Sequence, residues 1–288
     1  MSMKRAKVYK ILLLAGIVLI FLAVPLFVLK YKPVKNLEVD FLDVGQGDAI
    51  LIKSPFGQNI LIDGGPDGSV LEELSDNLPF WDRQIDLMIL THPHDDHVTG
   101  LIDVLKRYKV KKILFTGVVH DAPNYLEWLS EVKQKKISLM IIDRPQTIKL
   151  GEDCNLEILF PLDSLVGREV ENLNNSSIVA RLVQSDKKFL FMGDAEVEEE
   201  NALLASGVEL SAQVLKVGHH GSDTSTSEGF LRAVKAERAI IEVGEDNDFG
   251  HPNLRILKRL ERIGAKTFRT DLEGTIKIRE ENNQLYFD

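Results

Sequence analysis

The stretch that decides the fold is Ile85-Asp86-Leu87-Met88-Ile89-Leu90-Thr91-His92-Pro93-His94-Asp95-Asp96-His97. Its first half, Ile85–Thr91, is apolar and β-rich and reads as a strand. Its second half packs three of the chain's seven histidines into six residues. His92 and His94 are two apart, so in an extended segment they point to the same side and both imidazoles reach one metal ion. The chain then turns into a helix expected to begin near Val98. Asp96 and His97, at that turn, face a second ion beside the first. Imidazole and carboxylate ligands suit Zn²⁺, and also Mn²⁺ or Fe²⁺. A polar loop with coincidental histidines would not place them at this spacing after a strand.

Outward from this stretch, short β-rich runs alternate with helical patterns. Strands are expected over Leu37–Leu42, Ala49–Lys53, Asn59–Asp63, Lys111–Phe115, Ile137–Ile142, Leu156–Phe160, Ile178–Gln184, Phe189–Met192, Ala212–Val217, Ala239–Val243 and Thr275–Ile278. Helices are expected over Ser69–Asn77, Val98–Tyr108, Ala122–Lys135, Ala195–Ser206, Thr226–Val234 and Leu254–Ile263. Gly, Pro or Asp punctuates most junctions. No repeat or linker-like tract interrupts the pattern, so residues 36–288 read as one layered α/β domain.

Composition narrows the function classes. Hydrophobic residues make up 44% and charged residues 27% of the chain, an ordinary globular balance that excludes disorder as the default. Residues 1–35 hold seven Lys/Arg and no Asp/Glu, which leaves 28 of the 35 basic residues against 44 acidic ones in the body, a net −16. Such a body repels nucleic acid except at a local basic patch. Candidate patches are Lys106–Lys112 and Arg255–Arg262, each of which also reads as an ordinary solvated face. Cys154 is the single cysteine, so neither an internal disulfide nor a cysteine-based metal site can form.

Ile11–Leu29 is an uninterrupted apolar run, preceded by Lys4, Arg5, Lys7 and Lys10 and followed by Lys30, Lys32 and Lys35. About 20 helical residues span a hydrocarbon core. The expectation for residues 1–35 is a basic flank, a single-pass transmembrane signal anchor over 11–29 and a short linker, with the body outside the cytoplasm. A cleaved signal peptide or a buried core helix would be the alternatives.

His-x-His-x-Asp-His at residues 92–97 resembles the signature of the metallo-β-lactamase superfamily. The resemblance covers essentially all of residues 37–288. It extends to Asp40-Phe41-Leu42-Asp43-Val44-Gly45-Gln46-Gly47-Asp48-Ala49, Leu61-Ile62-Asp63-Gly64-Gly65, Asn174-Asn175-Ser176-Ser177-Ile178-Val179, Phe191-Met192-Gly193-Asp194, Lys216-Val217-Gly218-His219-His220-Gly221-Ser222 and Gly250-His251-Pro252. That set is similar to the extracytoplasmic hydrolase domain of ComEC-type competence proteins and their stand-alone relatives. It implies a four-layer αββα sandwich with two divalent ions at one sheet edge, zinc first and manganese second.

The same resemblance implies roles for individual residues. His92, His94, Asp96 and His97 are metal ligands, Asp194 bridges the two ions, and His219 completes the second site. Asp194 could also, or at the same time, cap a helix starting at Ala195, with the acidic run Glu196–Glu200 as its favourable first turn. His220, Gly221 and Ser222 line the substrate pocket, where Gly221 lets backbone N–H groups approach an anionic oxygen. Asp63 supports the histidine loop from behind. Gln46 and Asp48 contact substrate or metal, or else form a turn. Asn175 is a substrate-side or supporting residue. His251 is a pocket residue or a loop cap, and His120 is exposed or reaches the site. Many superfamily members give the first site a third histidine. This chain reads Leu173-Asn174-Asn175-Ser176-Ser177 there, so the two sites are expected to differ in affinity.

The chemistry so implied is metal-assisted hydrolysis, with a water activated between two cations and oriented by Asp96. The resemblance points to a phosphodiester substrate, with single-stranded DNA met during uptake as one form of it. A hydrolase of cell-surface phosphodiesters or esters, of the teichoic acid or phosphocholine kind, is the alternative. A non-catalytic anchored binding module would predict missing ligands, and here they are present.

Overall fold

The computed structural model describes Tyr9, residues 12–19, Phe21 and residues 36–288. Two compact units divide the chain, Met1–Val34 and Lys35–Asp288. Of the anchor expected over residues 11–29, residues 12–19 and Phe21 are described, as helix, and the rest lies outside the described residues. Among the described residues no helix is long and apolar enough to cross a membrane, so the anchor has no support from the structure.

The second unit opens with an antiparallel meander of β1 (Glu38–Phe41), β2 (Ile50–Lys53) and β3 (Asn59–Ile62). Then come α1 (Ser69–Asn77), β4 (Gln84–Ile85), β5 (Leu87–Ile89), α2 (Asp95–Arg107), β6 (Lys109–Val110), β7 (Lys112–Phe115), α3 (Pro123–Lys135) and β8 (Ser138–Ile141). The chain continues through β9 (Gln146–Gly151), β10 (Cys154–Phe160), β11 (Val179–Gln184), β12 (Lys187–Phe191), α4 (Val197–Ser206), β13 (Val214–Lys216), α5 (Glu228–Val234) and β14 (Arg238–Ile241). It ends with α6 (Leu254–Arg262), β15 (Lys266–Arg269), α7 (Thr270–Glu273), β16 (Ile276–Glu281) and β17 (Gln284–Phe287).

Two large sheets result, ordered β17-β16-β1-β2-β3-β5-β7-β8 and β15-β14-β13-β12-β11-β10-β9. Strand alternation assigns each apolar side chain to a layer. Ile50, Ile52, Ile60, Ile62, Leu87 and Ile89 of the first sheet meet Leu156, Leu182, Phe189, Phe191 and Ile240 of the second in a common core. Phe41 and Phe191 touch across it with ring centroids 6.2 Å apart. The alternate residues Leu51, Leu61, Met88 and Ile113 pack outward onto α1, α2 and α3. Leu190, Leu215, Ala239 and Ile241 pack outward onto α4, α5 and α6. The result is the four-layer αββα sandwich that the resemblance implies.

Several boundaries differ from the sequence reading. The strand expected over Ile85–Thr91 is broken at Asp86, whose carboxylate accepts the Asn59 N–H at 3.0 Å and a Gln84 amide N–H at 3.0 Å. β4 leaves the main sheet to pair with β6. β9, β15 and β17 carried no clear strand signal, and all three are sheet-edge strands.

The topology places the site. β3, β5 and β7 run parallel, as do β12, β13 and β14, so their carboxyl ends emerge at matching edges. Residues just past those ends converge in the crevice, where open α/β sheets bind ligands.

Candidate metal centre

Each site residue sits at a strand end or helix start. Thr91 and His92 follow β5, His94 is the N-cap of α2, and Asp96 and His97 lie in its first turn. Asp63 follows β3, Asp194 follows β12, His219 and His220 follow β13, and Asp48 precedes β2. α2 docks backbone to backbone on the Asp63–Gly65 loop. Gly64 N–H donates to His97 O at 2.9 Å, and Gly100 N–H donates to Gly65 O at 3.1 Å. A Cβ on Gly64 or Gly100 would overlap the other segment's backbone, which is why both are glycine.

Asp194 Oδ2 is the hub. It lies 3.3 Å from His97 Nε2, 3.5 Å from His220 Nε2, 3.8 Å from His92 Nε2 and 3.9 Å from His219 Nε2. Two sets of ligand atoms share it: His92, His94 and Asp194, and Asp96, His97, His220 and Asp194. His92 Nε2 and His94 Nδ1 are 3.0 Å apart, so they converge on one point. His220 Nε2 is 3.3 Å from Asp96 Oδ2.

The supporting contacts fix the rings. His97 Nδ1–H donates to Asp63 Oδ2 at 2.8 Å, and Asp63 also accepts the Thr91 N–H at 2.8 Å and the Thr91 hydroxyl at 2.6 Å. Asp63 thus ties β3, the histidine loop and α2 together. His220 Nδ1–H donates to Glu242 O at 2.9 Å. With Nδ1 committed, each Nε2 faces the centre.

Charges divide the two sets. Burial holds His92 well below the usual histidine range, helped by the neighbouring His97 ring, and burial lowers His94 as well. Burial also disfavours a charged His97 or His220. The carboxylates outweigh it and raise both well above that range: Asp194, Asp96 and Asp63 at His97, Asp194 and Asp48 at His220. Asp194 is held well below the carboxylate range, since His220 and His97 overcome its burial. His97 Nε2, His220 Nε2 and Asp194 Oδ1 are buried without a hydrogen-bond partner among the described residues. Buried polar atoms are costly unless something takes them. A divalent cation fits this donor set of imidazole nitrogens and carboxylate oxygens.

One expectation needs correction. His219 was expected in the second set, but the structure brings His220 there. Both residues have positive φ, 48° and 50°, in the tight turn Gly218–Gly221. Both Nε2 atoms approach Asp194 Oδ2, but only His220 also reaches Asp96. His219 Nδ1 goes to Glu196 Oε1 at 3.2 Å and Thr224 Oγ1 at 3.1 Å, leaving the ring half-buried at the rim. Asp194 does not cap α4, whose N-cap is Glu196. The acidic run does open α4, with Glu198, Glu199 and Glu200 in its first turn, and Glu199 and Glu200 are buried.

The remaining candidates fall around this core. Gln46 Oε1 accepts the Gly244 N–H at 3.2 Å, a loop contact. Asp48 lies 3.3 Å from His220 Nδ1 and pairs with Lys216. Asn175 Oδ1 accepts the Glu196 N–H at 3.1 Å. Gly221, with φ 80°, packs against Pro252, and a Cβ there would crowd that ring. Ser222 Oγ is 3.0 Å from Thr224 Oγ1. The His251 ring meets His219 edge-on at 5.7 Å and stacks on Phe249 at 5.8 Å. His120 sits beside Tyr125, 6.3 Å between centroids, and joins neither ligand set. Lys216 and Glu242, fully buried beside the centre, were not singled out in the sequence. A charged residue closing an apolar strand is a signal that could have found Lys216.

A model of the metallo-beta-lactamase superfamily matches residues 42–244. The chain is 30% identical over 262 residues to the ComE operon protein 3 of Bacillus subtilis (strain 168), covering 85% of this chain and 33% of that protein. It is 28% identical over 248 residues to the competence protein ComA of Neisseria gonorrhoeae, covering 85% and 33%. The chain thus spans about a third of the length of these curated relatives. Among solved structures, the metallo-beta-lactamase fold protein YhfI from Bacillus subtilis aligns with a TM-score of 0.53 at 12% identity, over 88% of this chain and 100% of that one.

Proposed function

This chain belongs to the metallo-β-lactamase superfamily, and we propose that it is a metal-dependent phosphodiesterase acting on a nucleic-acid strand outside the cytoplasm. The observation that carries the hydrolase reading is the Asp194 hub, one carboxylate oxygen shared by two ligand sets and facing His92 of the first and His97 and His220 of the second. His92 and His94 would hold one divalent cation and Asp96, His97 and His220 the other, with Asp194 between them. When bound, such cations polarise a phosphoryl oxygen and lower the pKa of a water toward neutrality.

The chain's own residues do the positioning. Asp63 and Glu242 O orient His97 and His220 through their Nδ1–H groups. Asp96, about a third exposed at its side chain, can accept a hydrogen bond from an attacking water on that exposed side. The competence-type relatives support the phosphodiester class. The basic amino-terminal flank and the apolar run over 11–29 support an extracytoplasmic body.

A second reading is favoured by one observation. The candidate basic patch over Arg255–Arg262 is mostly paired, and the one over Lys106–Lys112 is paired in part. Arg262 contacts Glu228, Arg255 lies 3.6 Å from Asp223, and Arg259 Nη1 donates to the Ser225 and Thr226 carbonyls. Lys106 meets Glu127 at 3.1 Å and Lys111 meets Asp86 at 2.7 Å. A smaller, less anionic substrate, such as a cell-surface phosphodiester or ester, suits that surface better than a long polyanion. Metal analysis of the purified protein, followed by assays on bis-p-nitrophenyl phosphate, single-stranded DNA, a choline phosphodiester and a β-lactam, separates the readings. Chelator-sensitive cleavage of DNA supports the first and of the choline ester alone the second. No chelator-sensitive hydrolysis of any of them overturns both.

A further inference from the structure

We propose that Lys216 is a positioning residue of the second ligand set: its buried ammonium holds Asp48 and the Gly193 carbonyl, and through them fixes His220 and Asp194. The inference rests on the two-cation reading above.

Lys216 closes β13 and is fully buried. Burying an ammonium costs several kcal/mol unless its protons are satisfied, so its partners identify its task. Nζ donates to Gly193 O at 3.0 Å, contacts the Asp48 carboxylate, and lies 4.0 Å from Asp194 Oδ1. Each partner leads to a metal-facing side chain. Asp48 Oδ1 is 3.3 Å from His220 Nδ1, the nitrogen that also reaches Glu242 O. Glu242 O accepts the Nδ1 proton and the anionic Asp48 lies beside it, so Nε2 is the nitrogen turned toward Asp96 and Asp194.

The second path runs through the backbone. Gly193 immediately precedes Asp194 and takes φ 52°. Its carbonyl is held by Lys216 Nζ and by the His219 N–H at 3.2 Å, while the Asp194 N–H donates to Ser177 Oγ at 3.1 Å. The peptide that aims Asp194 is therefore clamped on both faces, and Lys216 is the side chain on one of them. Three separate segments, the turn before β2 and the ends of β12 and β13, meet at this single ammonium.

A plain structural ion pair makes a different prediction. Buried ion pairs are weak contributors to stability, and replacing both partners by uncharged groups of similar shape is often neutral. Lys216→Met and the double variant Lys216→Met/Asp48→Asn, made in the full-length protein, separate the two roles. Zinc is titrated calorimetrically into each metal-free protein, and the visible spectrum of the Co²⁺ form reports the coordination of each site. We expect both variants to lose about 10- to 100-fold at the second set, the scale for losing an outer support of a metal ligand, and to lose less at the first set, which shares only Asp194 with it. The double variant should lose no more than the single one. Wild-type affinity at both sites in a variant with a cooperative melt overturns the proposal. If Lys216→Met does not fold, the double variant, which leaves no unpaired buried charge, decides by the same criterion. A wild-type chain that takes up no second ion overturns the two-cation reading itself and this inference with it.

Discussion

His220 Nδ1 lies 2.9 Å from the backbone oxygen of Glu242, and that contact turns Nε2 into the cluster with Asp96, His97 and Asp194. The adjacent His219 gives its Nδ1 to Glu196 and Thr224 and joins neither ligand set. His220→Ala should therefore remove the second-set zinc and lower turnover by at least the roughly 10- to 100-fold that losing an outer support costs. His219→Ala should keep the zinc content of the wild type. Elemental analysis of the two purified variants checks this, and the opposite pattern would restore His219 as the ligand.

Gly100→Ala should destabilise the fold and loosen the second set together. The added methyl would overlap the Gly64 and Asp67 carbonyl oxygens, both of them backbone and unable to swing aside. Overpacking of this kind costs about 1–3 kcal/mol. α2 must shift to relieve it, and His97 stands three residues earlier on that helix. A lowered melting temperature with weaker zinc uptake is the expected result. An unchanged melt would show that the helix is not seated as described.

Most of the centre was legible because its chemistry is local in the chain. His92, His94, Asp96 and His97 lie in one strand-to-helix turn, where spacing alone says which side chains share a face. Asp63 and Asp194 each end an apolar strand, and a carboxylate there has few reasons to be apolar-flanked other than a site. The choice between His219 and His220 was not legible. Both sit in left-handed backbone, so neither helix nor strand periodicity says where a ring points. Lys216 escaped because its partners are remote: Asp48 is 168 positions away, the difference of the two residue numbers. The edge strands β9, β15 and β17 were missed for another reason. One side of an edge strand faces solvent, so Lys149, Lys266 and Gln284 interrupt the apolar pattern that marks a central strand. The tightly packed interior strands kept theirs.

Glu199 is buried on α4 with neither carboxylate oxygen hydrogen-bonded among the described residues, and burial together with Glu200 raises it well above the ordinary glutamate range. A raised acid favours the folded state where it keeps its proton. That contribution is complete below the unfolded value, near 4.5, and is lost as pH rises toward the folded one. Glu199→Met should therefore stabilise the chain at neutral pH, by about 1–3 kcal/mol if the unmet polar burden is removed cleanly. Its melting temperature should also fall less from acid to neutral pH than the wild type's. Parallel melts across that range decide it, and identical slopes would show that Glu199 carries no buried charge cost.

The two ligand sets should bind unequally. The second offers Asp96, His97, His220 and Asp194, whereas the first offers His92, His94 and the shared Asp194. No histidine completes the first set among the described residues. His120 is turned to Tyr125, and the segment where a third ligand is expected presents Asn174, whose amide N–H donates to Glu196 Oε1 at 2.9 Å. Asn174 Oδ1 is buried without a partner, but a neutral amide oxygen is a poorer ligand for zinc than an imidazole and a better one for manganese. Zinc titrated into the metal-free protein should thus bind in two steps. The tight step should vanish in His220→Ala and the weak one in His92→Ala, and Mn²⁺ should displace zinc at the weak site first. Two equal sites, weakened alike by both substitutions, would show that the first set has a further ligand and that the asymmetry is absent.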